Sequence, residues 1–248
     1  MIDIHSHILP GVDDGSEDLS MSLEMLRMAA ESGSEAIVAT PHCNIPGTYE
    51  NFADEALSKK LQTLKEEAKE SGLPIQVLTG MEVYATKELP QIIKDRRVWT
   101  LNHTRYLLME FGFDEDPAFC RQIIEEVKAL GVRPVIAHPE RYYFLQYDPQ
   151  IAYEWCTSGC ALQLNKGSLL GSFGEEARHT SHALLRHNLA ACVASDAHGT
   201  YQRNPDMQDA RQYVDRMYSP EYGHLLFEAN PRRILKGERL YGYEARPF

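Results

Sequence analysis

No run of apolar residues in the sequence approaches the roughly 18 needed to span a bilayer, so membrane insertion is not expected. The opening stretch, MIDIHSHILPGVDDG, has neither a basic head nor a long apolar segment, and so does not read as a secretion signal. A cytoplasmic protein is the expectation. A cationic surplus is also missing: 36 acidic residues against 25 basic ones give a formal net charge of -11. A surface of that sign repels nucleic-acid phosphates, so no nucleic-acid partner is expected. Any basic pocket within it would have to be local. The five cysteines, Cys43, Cys120, Cys156, Cys160 and Cys192, are odd in number and include no C-x-x-C pair. That argues for reduced, partly buried thiols rather than a disulfide framework. Linkers and low-complexity tracts are absent too, and 43% apolar residues are enough for a packed core. Residues 1–248 are expected to form one domain.

What the sequence does contain is alternation. Apolar runs rich in β-branched residues fall at Met1–His5, Glu35–Thr40, Ile75–Glu82, Arg105–Glu110, Arg133–His138, Cys160–Asn165 and Ala191–Ser195. Between them lie stretches with helical spacing, such as Leu19, Leu23, Leu26 and Ala30, or Phe119, Ile123, Val127 and Leu130. Asp116 and Pro117 suit an N-cap and a first helical turn. Gly33, Gly72, Gly131, Gly159 and Asn188 follow the helical runs, and these residues tolerate the left-handed backbone at a helix C-terminus. Seven strands alternating with helices predict a parallel sheet with right-handed crossovers. The expected fold is α/β, a TIM-like (β/α) barrel, although an open doubly wound sheet satisfies the same count.

Histidines and carboxylates recur at one phase of this alternation. His5 and His7 end the first strand, and His42 follows the second. Glu82 ends the third strand, Glu110 the fourth and His138 the fifth, while Asp196 and His198 follow the seventh. Parallel strands bring their C-terminal ends to one face, where barrel enzymes place their chemistry. Singly, a histidine at a strand end is more often a hydrogen-bonded structural residue, and a lone Glu82 or Glu110 a carboxylate paired with an arginine. Ligand types at six of seven strand ends make that reading improbable. His103, His179, His182, His187 and His224 show no such phase. Imidazoles mixed with carboxylates, without thiolates, suit Mn, Fe or Zn. The donors exceed what one tetrahedral ion takes, so two or three divalent ions are expected. Asp13-Asp14-Gly15 lies close enough to add a carboxylate, though such a run is also a common turn.

The stretches MIDIHSHILPGVDDG, ATPHCNIPGTY, GMEVY, YLLMEF, PVIAHPERY, LQLN, ASDAHGTYQRNP and FEANPRRIL run through nearly the whole chain. Together they resemble the polymerase and histidinol phosphatase family. The resemblance is closest to its manganese-dependent protein-tyrosine phosphatases of bacterial capsule and exopolysaccharide synthesis. It implies a distorted seven-stranded barrel around three metals, with Mn first and Fe or Zn as alternatives. It implies His5, His7, Asp14, His42, Glu82, Glu110, His138, Asp196 and His198 as metal ligands, with Glu82 bridging. Arg141 and Arg203 are the implied phosphate-binding residues, and each lies a few positions beyond a ligand. Guanidinium forks match two phosphate oxygens at once; a solvated surface arginine is the ordinary alternative. Cys43 departs from the family, whose members commonly have a second histidine there, and it is not read as a ligand.

The chemistry implied is attack by a metal-bridging hydroxide on phosphotyrosine, with His198 or a metal-bound water as a source of protons. The implied partner is a phosphotyrosine protein, in particular the tyrosine-rich tail of a capsule-regulating kinase. Cysteine-based phosphatase chemistry is rejected, because its phosphate loop needs an arginine six residues after the cysteine. Here those positions hold Tyr49, Glu126, Leu162, Lys166 and His198. Three rivals stay open: a histidinol-phosphate or other small-molecule phosphoesterase, an amidohydrolase, and a non-catalytic metal-dependent binding module. The amidohydrolase is disfavoured by Glu110, where such enzymes usually carry a lysine. Tyr49, Tyr84, Tyr142, Tyr143 and Tyr201 are candidates for either an aromatic rim or ordinary barrel packing.

Overall fold

The computed structural model describes residues 1–248 and contains nine strands, every pair of them parallel. They are β1 Ile2–Ser6, β2 Ala36–Ala39, β3 His42–Cys43, β4 Gln76–Thr79, β5 Glu82–Tyr84, β6 Tyr106–Glu110, β7 Arg133–Ala137, β8 Ala161–Asn165 and β9 Cys192–Ala194. Two sheets result, ordered β1-β2-β4 and β3-β5-β6-β7-β8-β9. β2 with β3, and β4 with β5, are each one line of chain interrupted by a kink. The run expected as a single strand over 75–82 is therefore two segments. Pro41, with no N–H for the ladder, sits at the first break, and Gly80 lies at the second. A side chain at Gly80 would meet Val38 at 2.7 Å, so a glycine is needed there.

The barrel closes where β9 meets β1. Asp196 N–H donates to His5 O at 2.8–2.9 Å, as His7 N–H does to Ala197 O. β4 has no strand on its other side; the turn Leu101–His103, with buried Leu101, fills the space toward β6. Distortion of the expected seven-stranded TIM-like barrel thus has two sources, the kinks and this gap.

Alternation along the strands divides the core into two layers. Ile4, Val38, Leu108, Val135 and Ala194 pack inside the barrel. Ile37, Leu107, Met109, Ile136 and Leu164 point outward to the helices. Asp18 caps the helix Leu19–Glu31 by accepting from Met21 N–H, and Gly33 follows it at φ 90°. Its buried stripe is Ser22, Met25, Leu26 and Ala29, one residue off the expected one, because Leu23 and Ala30 lie at the edge of the contact. Asp116 caps Pro117–Ala129 as expected, and Gly72, Gly131, Gly159 and Asn188 all have positive φ. No helix is long and apolar enough to cross a membrane.

Candidate metal centre

Every strand end named above reaches the same face, and the side chains converge. A register irregularity between Asp3 and Ser6 in β1 brings His5 and His7 into one cluster with their Nε2 atoms 3.3 Å apart. Both Nε2 atoms also face Glu82, each at 3.2 Å, and Asp196 Oδ1 at 3.4 and 3.5 Å. His42 Nδ1 lies 3.0 Å from Glu82 and 3.2 Å from Glu110. His138 Nε2 lies 2.9 Å from Glu82 Oε1. Asp14, at the half-exposed mouth, is 3.5 Å from both His42 and His198. The donors form three overlapping sets: His5, His7 and Asp196; His42, Glu82 and Glu110; and His7, Asp14, His42 and His198. His138 falls outside these sets and joins the cluster through Glu82.

Two backbone features aim these groups, and residue type signals both only weakly. His138 (φ 35°) and Asp196 (φ 51°) both adopt the left-handed region that β-strands avoid. Non-glycine residues held there cost about 1–3 kcal/mol, which the surrounding packing must over-determine. The turn swings each side chain inward immediately after its strand.

A second group of residues fixes the tautomers. His5 Nδ1 donates to Gln163 Oε1 (2.8 Å), His7 Nδ1 to Asp13 Oδ2 (2.8 Å) and His198 Nδ1 to Asp196 O (3.0 Å). Each imidazole therefore presents the lone pair of Nε2 to the centre. Two such lone pairs 3.3 Å apart, beside two carboxylates, repel unless a proton or a cation lies between them. Glu82 Oε2 is moreover buried without a hydrogen-bond partner. This oxygen- and nitrogen-rich donor set fits divalent Mn, Fe or Zn.

Ionisation follows the same logic. Burial opposes charge on Glu82, yet the imidazoles of His5 and His42 outweigh it and hold the carboxyl well below its usual range. Burial likewise opposes charge on Asp196, and His5, His7 and Arg203 overcome it. Desolvation works against a proton on His42, but Glu82 and Glu110 push its pKa up to about 10. His7 is raised well above 6.5 against its burial by Asp13, Asp196 and Glu82. His198 is lowered, first by burial and then by the charge on His7. In the metal-free chain at pH 7, His7 and His42 thus carry protons that a cation must displace. Metal uptake should release protons, and apparent affinity should rise as pH climbs toward about 10. Titration calorimetry in two buffers of different ionisation enthalpy measures this, and heats independent of buffer would contradict it.

The arginines meet on one carboxylate oxygen. Arg203 Nη2 lies 2.6 Å and Arg141 Nη1 3.5 Å from Asp196 Oδ2, opposite the oxygen that faces the histidines. Arg141 is sandwiched between Phe113 and Phe173, 4.7 and 4.4 Å from their ring centroids. Of the five tyrosines, Tyr142 belongs to the core: its hydroxyl donates to Ala137 O and accepts from Phe111 N–H. Tyr143 and Tyr201 face solvent, and Tyr84 is half-buried. Tyr49 stacks on His42 with centroids 5.6 Å apart. Cys43 is buried, outside every donor set, and burial pushes its thiol up to about 12.

Several contributors escaped sequence reasoning. Asp13 Oδ2 accepts from both His7 Nδ1 and the His42 N–H, and its Oδ1 accepts from Gly15 N–H. Gln163 Nε2 donates to Asn165 Oδ1, and Asn165 Nδ2 to Asp196 Oδ2 at 2.6 Å, so β8 ties His5 to Asp196. The signal available was LQLN itself: two amides, two residues apart, on a strand buried throughout. Asp13→Ala should weaken metal affinity by about 10–100-fold, the usual cost of losing a residue that orients a ligand. Wild-type metal occupancy under limiting Mn would refute this.

Residues 1–236 match the family model described as capsular polysaccharide synthesis, CpsB/CapC. The tyrosine-protein phosphatase YwqE of Bacillus subtilis is 36% identical over 247 residues, spanning 100% of this chain and 96% of that protein. A crystal structure from work on YwqE from Bacillus subtilis and CpsB from Streptococcus pneumoniae, described as unique metal-dependent tyrosine phosphatases, superimposes with TM-score 0.93. Identity there is 35%, with 100% of this chain and 99% of that one covered. A lactonase from Listeria monocytogenes shares only the fold, at TM-score 0.60 and 14% identity over 96% and 95% of the two chains.

Proposed function

The chain belongs to the CpsB/CapC capsular polysaccharide synthesis family, and we propose that its convergent strand ends form the active centre of a metal-dependent tyrosine-protein phosphatase. The observation that carries this reading is the meeting of three donor sets and two arginines at one carboxylate, Asp196. His5, His7, Asp14, His42, Glu82, Glu110, His138, Asp196 and His198 would hold two or three divalent ions, Mn first, with Fe and Zn as alternatives. Glu82, facing His5, His7, His42 and His138, is the shared carboxylate. When bound, the ions supply Lewis acidity and a hydroxide nucleophile at neutral pH.

The chain's own residues do the rest. Arg141 and Arg203 take non-reacting phosphate oxygens, leaving Asp196 Oδ2 as the phosphate replaces it as their partner. Phe113 and Phe173 hold the Arg141 guanidinium in plane, so little freedom is lost when the phosphate arrives. His198 commits Nδ1–H to a backbone carbonyl, so only Nε2, which lies 3.5 Å from Asp14 Oδ1, could hand on a proton. Tyrosine, with a pKa of about 10, leaves with less help than an alkyl alcohol. The substrate is phosphotyrosine on a protein, in particular the tyrosine-rich tail of a capsule-regulating kinase. Residues 1–248 serve this reaction as one domain.

The test is substrate choice. A phosphotyrosyl peptide should exceed histidinol phosphate in kcat/KM by at least about tenfold, with metal content measured on the same sample. Faster turnover of histidinol phosphate would refute the tyrosine assignment while leaving the centre intact.

A further inference from the structure

Beside the arginine pair lies a cavity of about 550 Å³ that the reaction above does not use. It shares Arg203 and Phe173 with the centre, has Ser195 in its wall, and is bordered by Lys166, the residue that follows β8. That size is within the range of pockets that hold small ligands or side chains.

Lys166 is unusual in a chain of net charge -11. It is mostly buried, and its ammonium donates to two neutral oxygens, Asn204 Oδ1 (2.7 Å) and Asp206 O. No carboxylate pairs with it, although Asp3, Asp206 and Asp209 are near enough to feel its charge. The Asp206 carboxylate is turned to the Gln208 N–H (2.8 Å), and Asp209 is exposed. An ammonium has three donors, so one remains unspent. Arg203 lines the same cavity, with its Nη2 paired to Asp196 Oδ2. One spare ammonium donor, with no carboxylate within ion-pair distance, thus borders the cavity beside Arg203; Asp206 and Asp209 also line the wall but leave that donor unpaired, and an anion would complete it.

We propose that this cavity is a second anion subsite, taking an acidic group beside the scissile phosphotyrosine on the same peptide. The proposal rests on the phosphatase reading. Arg203 serves the first of the two groups, the scissile phosphate, through its Nη atoms. Lys166 serves only the second. The ligand is a carboxylate or a second phosphate, and both present the oxygens these donors require.

The experiment measures kcat/KM on phosphotyrosyl peptides with alanine, glutamate or a second phosphotyrosine beside the scissile residue. Either acidic peptide should exceed the alanine peptide by about tenfold, mostly through KM, as close charge pairs at interfaces do. The ratio of the two acidic arms identifies the preferred anion. In Lys166→Met the preference should fall close to one, and in Lys166→Arg it should persist. Equal rates on all three peptides in the wild-type protein, or a preference unchanged in Lys166→Met, would overturn the subsite. Wild-type turnover of p-nitrophenyl phosphate reports on the phosphatase reading separately. Its absence would refute that reading, whereas its presence without acidic preference refutes the subsite alone.

Discussion

Chelation is expected to take phosphotyrosyl hydrolysis to background, and Mn to restore it in the wild-type chain but not in Glu82→Gln. The loss in Glu82→Gln should be about 10⁴-fold or more, since metal-supplied transition-state stabilisation is worth several kcal/mol. The reason is geometric. Glu82 is fully buried, and its two oxygens face His5, His7, His42 and His138 within 3.2 Å. Glutamine has nearly the same volume, so packing is preserved. Its amide, however, turns a donor toward imidazole nitrogens and removes the charge that two neighbouring cations require. One substitution therefore breaks the set it belongs to, with His42 and Glu110, and also removes the carboxylate facing His5 and His7 of the neighbouring set. Circular dichroism should show a folded chain, and metal analysis should show the ions depleted. Full activity of Glu82→Gln under excess Mn would refute the proposed role of Glu82 as a shared metal-holding carboxylate.

How much of this was legible in the sequence depends on the kind of information. Phase was legible. His5, Glu110 and His138 sit at the C-terminal ends of parallel strands, whereas His42 and Glu82 open the short segments β3 and β5 just beyond the kinks, still on the one face that a barrel offers for such ends. Helix punctuation was legible for the same reason, because Asp116 and Gly131 have local physics that tertiary structure does not override. What could not be read was whatever depends on neighbours remote in sequence. The kinks at Pro41 and Gly80 split two strands, and only packing against Val38 shows why Gly80 is required. The left-handed turns at His138 and Asp196 carry only a weak residue signature, since Asp and His tolerate that region better than most side chains but occupy it at few of their positions. Asp13 was passed over beside Asp14 because the two look alike on paper. Their difference is burial: one carboxylate is enclosed between His7 and His42, and the other opens to the mouth. Tyr142 and Tyr49 were likewise indistinguishable until the core enclosed the first.

Arg203→Ala should lower kcat by about 10³-fold on any phosphate monoester, the scale of losing a preorganised donor to transition-state charge. Arg141→Ala should cost somewhat less, because its Nη1 stands 3.5 Å from Asp196 against 2.6 Å for Arg203. The double variant should fall short of the product of the two losses. Both guanidiniums converge on Asp196 Oδ2, so they act as one unit, and effects within a unit are not additive. Arg203→Lys should recover only a small part, since an ammonium is a point donor and cannot span two oxygens. Asp196 sharpens the prediction. Its charge is held by His5, His7 and Arg203 together, so removing Arg203 also loosens the carboxylate that faces the two histidines. Metal content should nevertheless stay near wild type, because Oδ1 keeps both histidines. His179→Ala is the control: its side chain is 79% exposed on the helix Glu175–Arg186, away from the centre. Comparable losses in His179→Ala and Arg203→Ala would refute the arrangement. So would an additive double variant, which would mean that the two arginines bind the phosphate independently rather than as a clamp set by one carboxylate.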